Sequence, residues 1–170
     1  MVKGVTAALE AAREAADDGA GLGSTVALAG DAWADNAGGT SGVLWGAALR
    51  AAGEALGDES APDGATVLAA VRAFADRIQT LGGAAVGDKT IVDALVPFVE
   101  TLAEMDGDPG RAWADASAEA ARAAAATAEL RPRKGRARPL AEKSVGTPDP
   151  GATSFALIVE TLGDAARKKG

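Results

Sequence analysis

The chain of 170 residues contains no cysteine, no histidine and no tyrosine. Without cysteine it can form no disulfide, no thiolate metal site and no thiol nucleophile. Without histidine it lacks the commonest general base, the usual zinc ligand and any phosphohistidine chemistry of its own. A metal would have to be held by oxygen ligands, which favours hard ions such as Mg²⁺. Aromatic residues make up only 4% of the chain, so a core must gain its stability from close helix approach more than from bulky rings. No run reaches the roughly 20 apolar residues of a membrane span, and no charged-then-apolar leader opens the sequence. A cytoplasmic protein with no membrane partner is expected. The net charge of −7 weighs against a general nucleic-acid binder.

What is present is alanine and helical periodicity. The length suits one domain with a single core, residues 1–170. Val2, Val5, Leu9 and Ala12 form an apolar stripe on a first helix that Asp17-Asp18-Gly19 stops. Ser24 is a candidate cap for a second helix with Val26, Ala29 and Trp33 on one face. A third follows Ala37-Gly38-Gly39-Thr40-Ser41-Gly42 and carries Val43, Leu44, Ala47, Ala48 and Leu56. Asp63 can cap a fourth, which carries Val67, Leu68, Val71, Phe74, Ile78 and Leu81. A fifth helix runs to about Met105, with a kink expected at Pro97. Asp108-Pro109 starts a sixth that runs to about Leu130. A seventh is expected over about Ala152 to Lys168, packing Phe155, Leu157, Ile158 and Leu162. The fold class is all-α, with no convincing strand.

Three turns carry candidate chemistry. Gly38-Gly39-Thr40-Ser41-Gly42 opens a helix; its glycines permit close backbone approach, and its hydroxyls and free N–H groups suit phosphate oxygens. Gly87-Asp88-Lys89-Thr90-Ile91-Val92-Asp93 offers a lysine to neutralise phosphate and an aspartate to cap a helix or orient a neighbour. Arg131-Pro132-Arg133-Lys134-Gly135-Arg136-Ala137-Arg138 places five cations in eight residues of an acidic chain, which invites an anion. It lacks the interleaved aromatics of a base-stacking surface. Thr147-Pro148-Asp149-Pro150-Gly151-Ala152 follows. Taken singly, the first two turns read better as a capped helix start and a capping-box start with a solvated lysine, and the third reads equally as a solvated basic loop.

Together, the strings GGTSG, GDKTIVDAL and KGRARPLAEKSVGTPDPGATS resemble, in order and spacing, the signature segments of the nucleotide-binding (L-type) domain of the dihydroxyacetone kinases. The resemblance covers essentially the whole chain. It implies a barrel of antiparallel amphipathic helices with ATP or ADP at one open end, and the seven helices read here would be seven of the family's eight. It implies that Thr40 and Ser41, beside Gly38 and Gly39, contact the phosphates. Gly82 and Ile91 would line the adenine side, Ile91 replacing a more usual methionine. Asp88, Lys89 and Thr90 would belong to the nucleotide site. Arg136 would reach over the nucleotide, and Asp149, Pro150 and Gly151 would close the pocket, making residues 131–151 a basic covering loop.

The family also carries a Gly-Asp-Gly-Asp-His-Gly loop whose aspartates bind two Mg²⁺ ions. Met1-Val2-Lys3-Gly4 resembles the segment directly after that loop, so no metal ligand and no catalytic residue is assigned to this chain. The ketose is held in that family by a histidine of a separate K-type subunit or domain. The expectation is a phosphotransferase domain of a dihydroxyacetone (glycerone) or related ketose kinase, such as one for erythrulose, weak or inactive alone. Alternatives are a phosphotransferase-system subunit that keeps ADP as phosphoryl carrier, and a non-catalytic helical interaction module. Loss of a first helix would expose an apolar groove and favour a homodimer.

Overall fold

The structure, a computed structural model, describes residues 2–104, 108–134 and 143–168. Among the described residues there are seven α-helices, a short 3₁₀ turn and no strand. The chain divides into two compact units, residues 1–83 and 84–170. The first holds α1 (Val2–Asp17), α2 (Leu22–Asn36), α3 (Thr40–Leu56) and α4 (Gly64–Gly82). The second holds α5 (Val92–Glu104), α6 (Pro109–Ala126), the 3₁₀ turn Thr127–Glu129 and α7 (Pro150–Arg167).

In the first unit, α2 packs on both α1 and α3, and α4 packs on α3. Two glycines seven residues apart on α2 meet two glycines seven apart on α3. A Cβ on Gly30 would lie 2.7 Å from the Gly46 carbonyl oxygen, and one on Gly53 would lie 2.4 Å from that of Gly23. These backbones approach more closely than any side chain permits, which is how a chain poor in large residues builds a dense contact. Beside that seam, Trp33 stacks on Trp45 at 4.9 Å, and Phe74 meets Trp45 edge-on at 5.3 Å. The second unit has its own aromatic cluster, with Trp113 and Phe155 each edge-on to Phe98. Trp113 lies over Gly163 and donates its indole N–H to the Val159 carbonyl at 2.8 Å.

Several helix ends fall where the sequence places them. Asp63 accepts the Thr66 N–H, and Asp108 accepts those of Gly110 and Arg111, both as N-caps. α2 differs. It starts at Leu22 with Gly21 as N-cap, and the Ser24 amide and hydroxyl both donate to Asp58, from the loop after α3. Those bonds, the hydroxyl's first, hold the Asp58 carboxyl below its ordinary pKa. The α-helical part of α6 ends at Ala126 and tightens into the 3₁₀ turn, and α7 begins two residues earlier than expected, with Pro150 in its first turn and Asp149 as cap.

The expected apolar faces are wrong in places. Val5 and Leu9 are exposed, and α1 instead buries Gly4, Ala8 and Ala15. The reason is proximity: a Cβ on Gly4 would lie 2.6 Å from that of Ala37, so only small residues fit this face. Val43 and Leu81 are exposed too. On α7 the buried face is Ala152, Phe155, Ala156, Val159 and Gly163, while Leu157 and Leu162 point to solvent.

Candidate functional site

In the first unit, α3 starts at Thr40 with Gly39 as N-cap at φ 79°, and no side chain caps it. The first turn of a helix leaves N–H groups without intrahelical acceptors and a positive dipole end. Gly38, Gly39, Thr40 and Ser41 are all exposed there. Not every glycine of the turn serves the same need. Gly39 requires its left-handed φ, and a Cβ on Gly42 would sit 1.6 Å from the Ala37 carbonyl oxygen. Gly38 has neither constraint: its φ is not left-handed, and a Cβ there meets nothing within 4 Å. Gly82, at the last turn of α4, faces only the Leu44 methyls, at 3.8 and 3.9 Å from a Cβ. Since Leu44 lies on the first turns of α3, Gly82 and the Thr40 turn share one end of this helix pair. Packing alone would accept alanine at both Gly38 and Gly82.

In the second unit, the Gly87–Asp93 turn is wound around a buried aspartate. Asp93 is 5% exposed, and its carboxylate accepts the Gly87 N–H at 2.6 Å and the Thr90 N–H at 2.7 Å. The Thr90 hydroxyl in turn accepts the Val92 N–H at 3.2 Å, which completes a capping box of Thr and Asp at the start of α5. Asp88 does not cap the helix; its carboxylate accepts the Ala85 N–H at 3.0 Å and closes the preceding turn.

Lys89 fits neither sequence reading. It is 3% exposed, and its ammonium donates to the Leu130 carbonyl at 3.1 Å and the Ser144 carbonyl at 2.7 Å. It is neither solvated nor open to solvent as a phosphate-neutralising group would be. Its backbone, at φ 61°, is left-handed, a conformation that costs a non-glycine residue about 1–2 kcal/mol.

The same region fixes the flanks of the basic segment. The Arg133 N–H donates to the Asp88 carbonyl, and the Gly146 N–H to that of Ala128. Thr127, 1% exposed, donates its hydroxyl to the Ala124 carbonyl at 2.6 Å and accepts the Asp149 N–H at 2.7 Å. Asp149 caps α7 through the Ala152 N–H. Burial, first of all, raises its carboxyl pKa. The N–H groups of Ala152 and Gly151 oppose that rise, Asp93 adds to it, and Lys89 lowers it. A Cβ on Gly151 would lie 3.5 Å from that of Ile91, so Asp88-Lys89-Thr90-Ile91 and Asp149-Pro150-Gly151 meet within this unit. Arg136 lies outside the described residues.

Sequence reading missed Thr127 and the inward course of Lys89. Thr127 was legible as a lone hydroxyl at the end of an alanine run, but its partner is far along the chain. Among the described residues no group of three carboxylates converges on a point that could hold a metal ion. The described residues thus hold no ready-made three-ligand site for the Mg²⁺ ions that the resemblance implies. Two surface hollows, of about 130 Å³ between α6 and α7 and about 230 Å³ between α3 and α4, are lined by none of the candidate residues. No helix among the described residues is long and apolar enough to cross a membrane.

The model of the DAK2 domain family matches residues 1–164, spanning both units. The chain is 56% identical over 167 residues to a D-erythrulose kinase of Mycolicibacterium smegmatis, covering 96% of this chain and 29% of that protein. It is 37% identical over 134 residues to the ADP-binding subunit DhaL of the PEP-dependent dihydroxyacetone kinase of Escherichia coli, covering 77% of this chain and 64% of the subunit. In structure it resembles the dihydroxyacetone kinase of C. freundii, with a TM-score of 0.61 at 27% identity, over 93% of this chain and 28% of that one. The chain thus spans less than a third of the length of the erythrulose kinase it matches.

Proposed function

From the premise that this chain belongs to the DAK2 domain family, we propose that it is the nucleotide-binding domain of a kinase for a short ketose. Erythrulose is favoured over dihydroxyacetone by the 56% identity to an erythrulose kinase. The observation that carries the reading is the glycine turn at the start of α3. It joins an uncapped helix N-terminus, two exposed hydroxyls and a glycine, Gly38, that neither packing nor φ demands. Such a turn suits the phosphates of ADP or ATP. Gly82 leaves room for a flat group at the same end of the helix pair.

The nucleotide supplies the phosphoryl group. This chain's residues bind and orient it, Thr40 and Ser41 by hydroxyl and backbone N–H. Phosphoryl transfer depends chiefly on positioning and on cations beside the phosphates. The ketose-holding histidine comes from a K-type domain, since this chain has no histidine. Without a K-type domain the chain transfers little. Higher identity to the erythrulose kinases than to the PEP-dependent subunit favours ATP as donor, with fast ADP exchange.

The test is a kinase assay with ATP and erythrulose or dihydroxyacetone. Turnover is expected only when a K-type domain is added, and a Thr40→Ala/Ser41→Ala variant should lower it at least tenfold. Equal turnover by that variant would contradict the reading.

A further inference from the structure

The buried ammonium of Lys89 holds two main-chain carbonyls that flank the basic segment, Leu130 before it and Ser144 after it. We infer that Lys89 is a positioning residue that holds the described flanks, residues 130–134 and 143–146, together and so sets where Arg133 and Lys134 meet an anionic ligand, without touching that ligand. The inference rests on the nucleotide reading for its ligand, though not for its geometry.

Four observations converge on it. The side chain is almost fully buried, so its charge is not presented to solvent. Its backbone takes the left-handed conformation, and neighbouring bonds fix the turn, with the Gly87 and Thr90 N–H groups on the Asp93 carboxylate. The neighbouring Asp88 carbonyl takes the Arg133 N–H, a second tie between this turn and the segment. On the return side, Gly146 bonds to Ala128 and Asp149 to Thr127, so residues 133 and 146 are both anchored to the same part of this unit. Lys89 is the one side chain among these ties that reaches both flanks. A cation suits this role better than a neutral donor. Its N–H groups serve two carbonyls at once, and its charge favours the Asp149 carboxylate.

The test compares Lys89→Met, which keeps the stem and removes the charge, with Lys89→Arg. Hydrogen exchange at the Arg133, Gly146 and Asp149 amides should quicken at least tenfold in Lys89→Met, while amides of α6 from Ala116 to Ala124 keep their rates. ADP affinity should fall at least fivefold, and Lys89→Arg should recover part of both effects. Unchanged exchange at the three amides would overturn the inference, as would unchanged ADP affinity in a variant whose parent binds ADP. If the parent itself binds no ADP, the nucleotide reading fails while the exchange result still judges the tie. Should Lys89→Met not fold, reductive methylation of the unaltered chain decides. Lys89 should be modified at least tenfold more slowly than Lys134 and Lys143, with or without ADP. A Lys89 as reactive as those two and shielded by ADP would mean direct contact with the nucleotide, and the inference would be wrong.

Discussion

Asp149 is a cap that burial makes uncomfortable as an anion. Its folded carboxyl binds a proton more readily than in the unfolded chain, so the folded state takes up more protons. Stability from this group therefore falls as pH rises from the ordinary aspartate value of 3.8 through the raised folded value. Asn caps a helix about as well as Asp. Asp149→Asn should remove that slope and leave the protein at least as stable at pH 7, whereas Asp149→Ala should lose about 1 kcal/mol. Urea denaturation of the three proteins across this pH range checks both. Thr127→Val keeps the shape but leaves the Asp149 N–H without its acceptor, which should cost about 1–3 kcal/mol by the same method. Gly38 and Gly82 behave in the opposite sense. Alanine at either should hold or raise the melting temperature, and at Gly82 should add up to about 1 kcal/mol of helix propensity, while weakening ADP binding.

At the scale of the elements, glycine placement decides how helices meet. Gly64→Ala, in the first turn of α4 with open space around it, should stabilise by up to about 1 kcal/mol. Gly30→Ala gains the same propensity, yet its Cβ would stand 2.7 Å from a backbone oxygen of α3 that cannot step aside. It should destabilise by about 1–3 kcal/mol. Denaturant midpoints of the two variants measure the sign directly. This contrast also shows where sequence periodicity fails. Helix existence was legible, because caps such as Asp63 and Asp108 are local signals. Helix faces were less so, because a stripe of Val5 and Leu9 looks like a core face until Gly4 is seen against Ala37. A rule that sends the largest side chains inward misreads helices packed through glycine and alanine.

Across the whole molecule, the three turns were legible as motifs, and the family follows from them. Their internal wiring was not. Which carbonyls a buried lysine meets, and that a threonine after an alanine run braces the cap of the last helix, depend on contacts across long sequence separations that no local pattern encodes. The account of function rests on the turn at the start of α3 binding a nucleotide. The most direct measurement is an ADP titration of isotope-labelled protein followed by amide chemical shifts. The account predicts saturable shifts at Thr40, Ser41 and Gly82, with Ala118 and Gly163 beside the α6–α7 cavity unmoved. No saturable shift up to ~10 mM ADP, beyond the millimolar range of weak specific binding, would contradict it, as would shifts confined to that cavity.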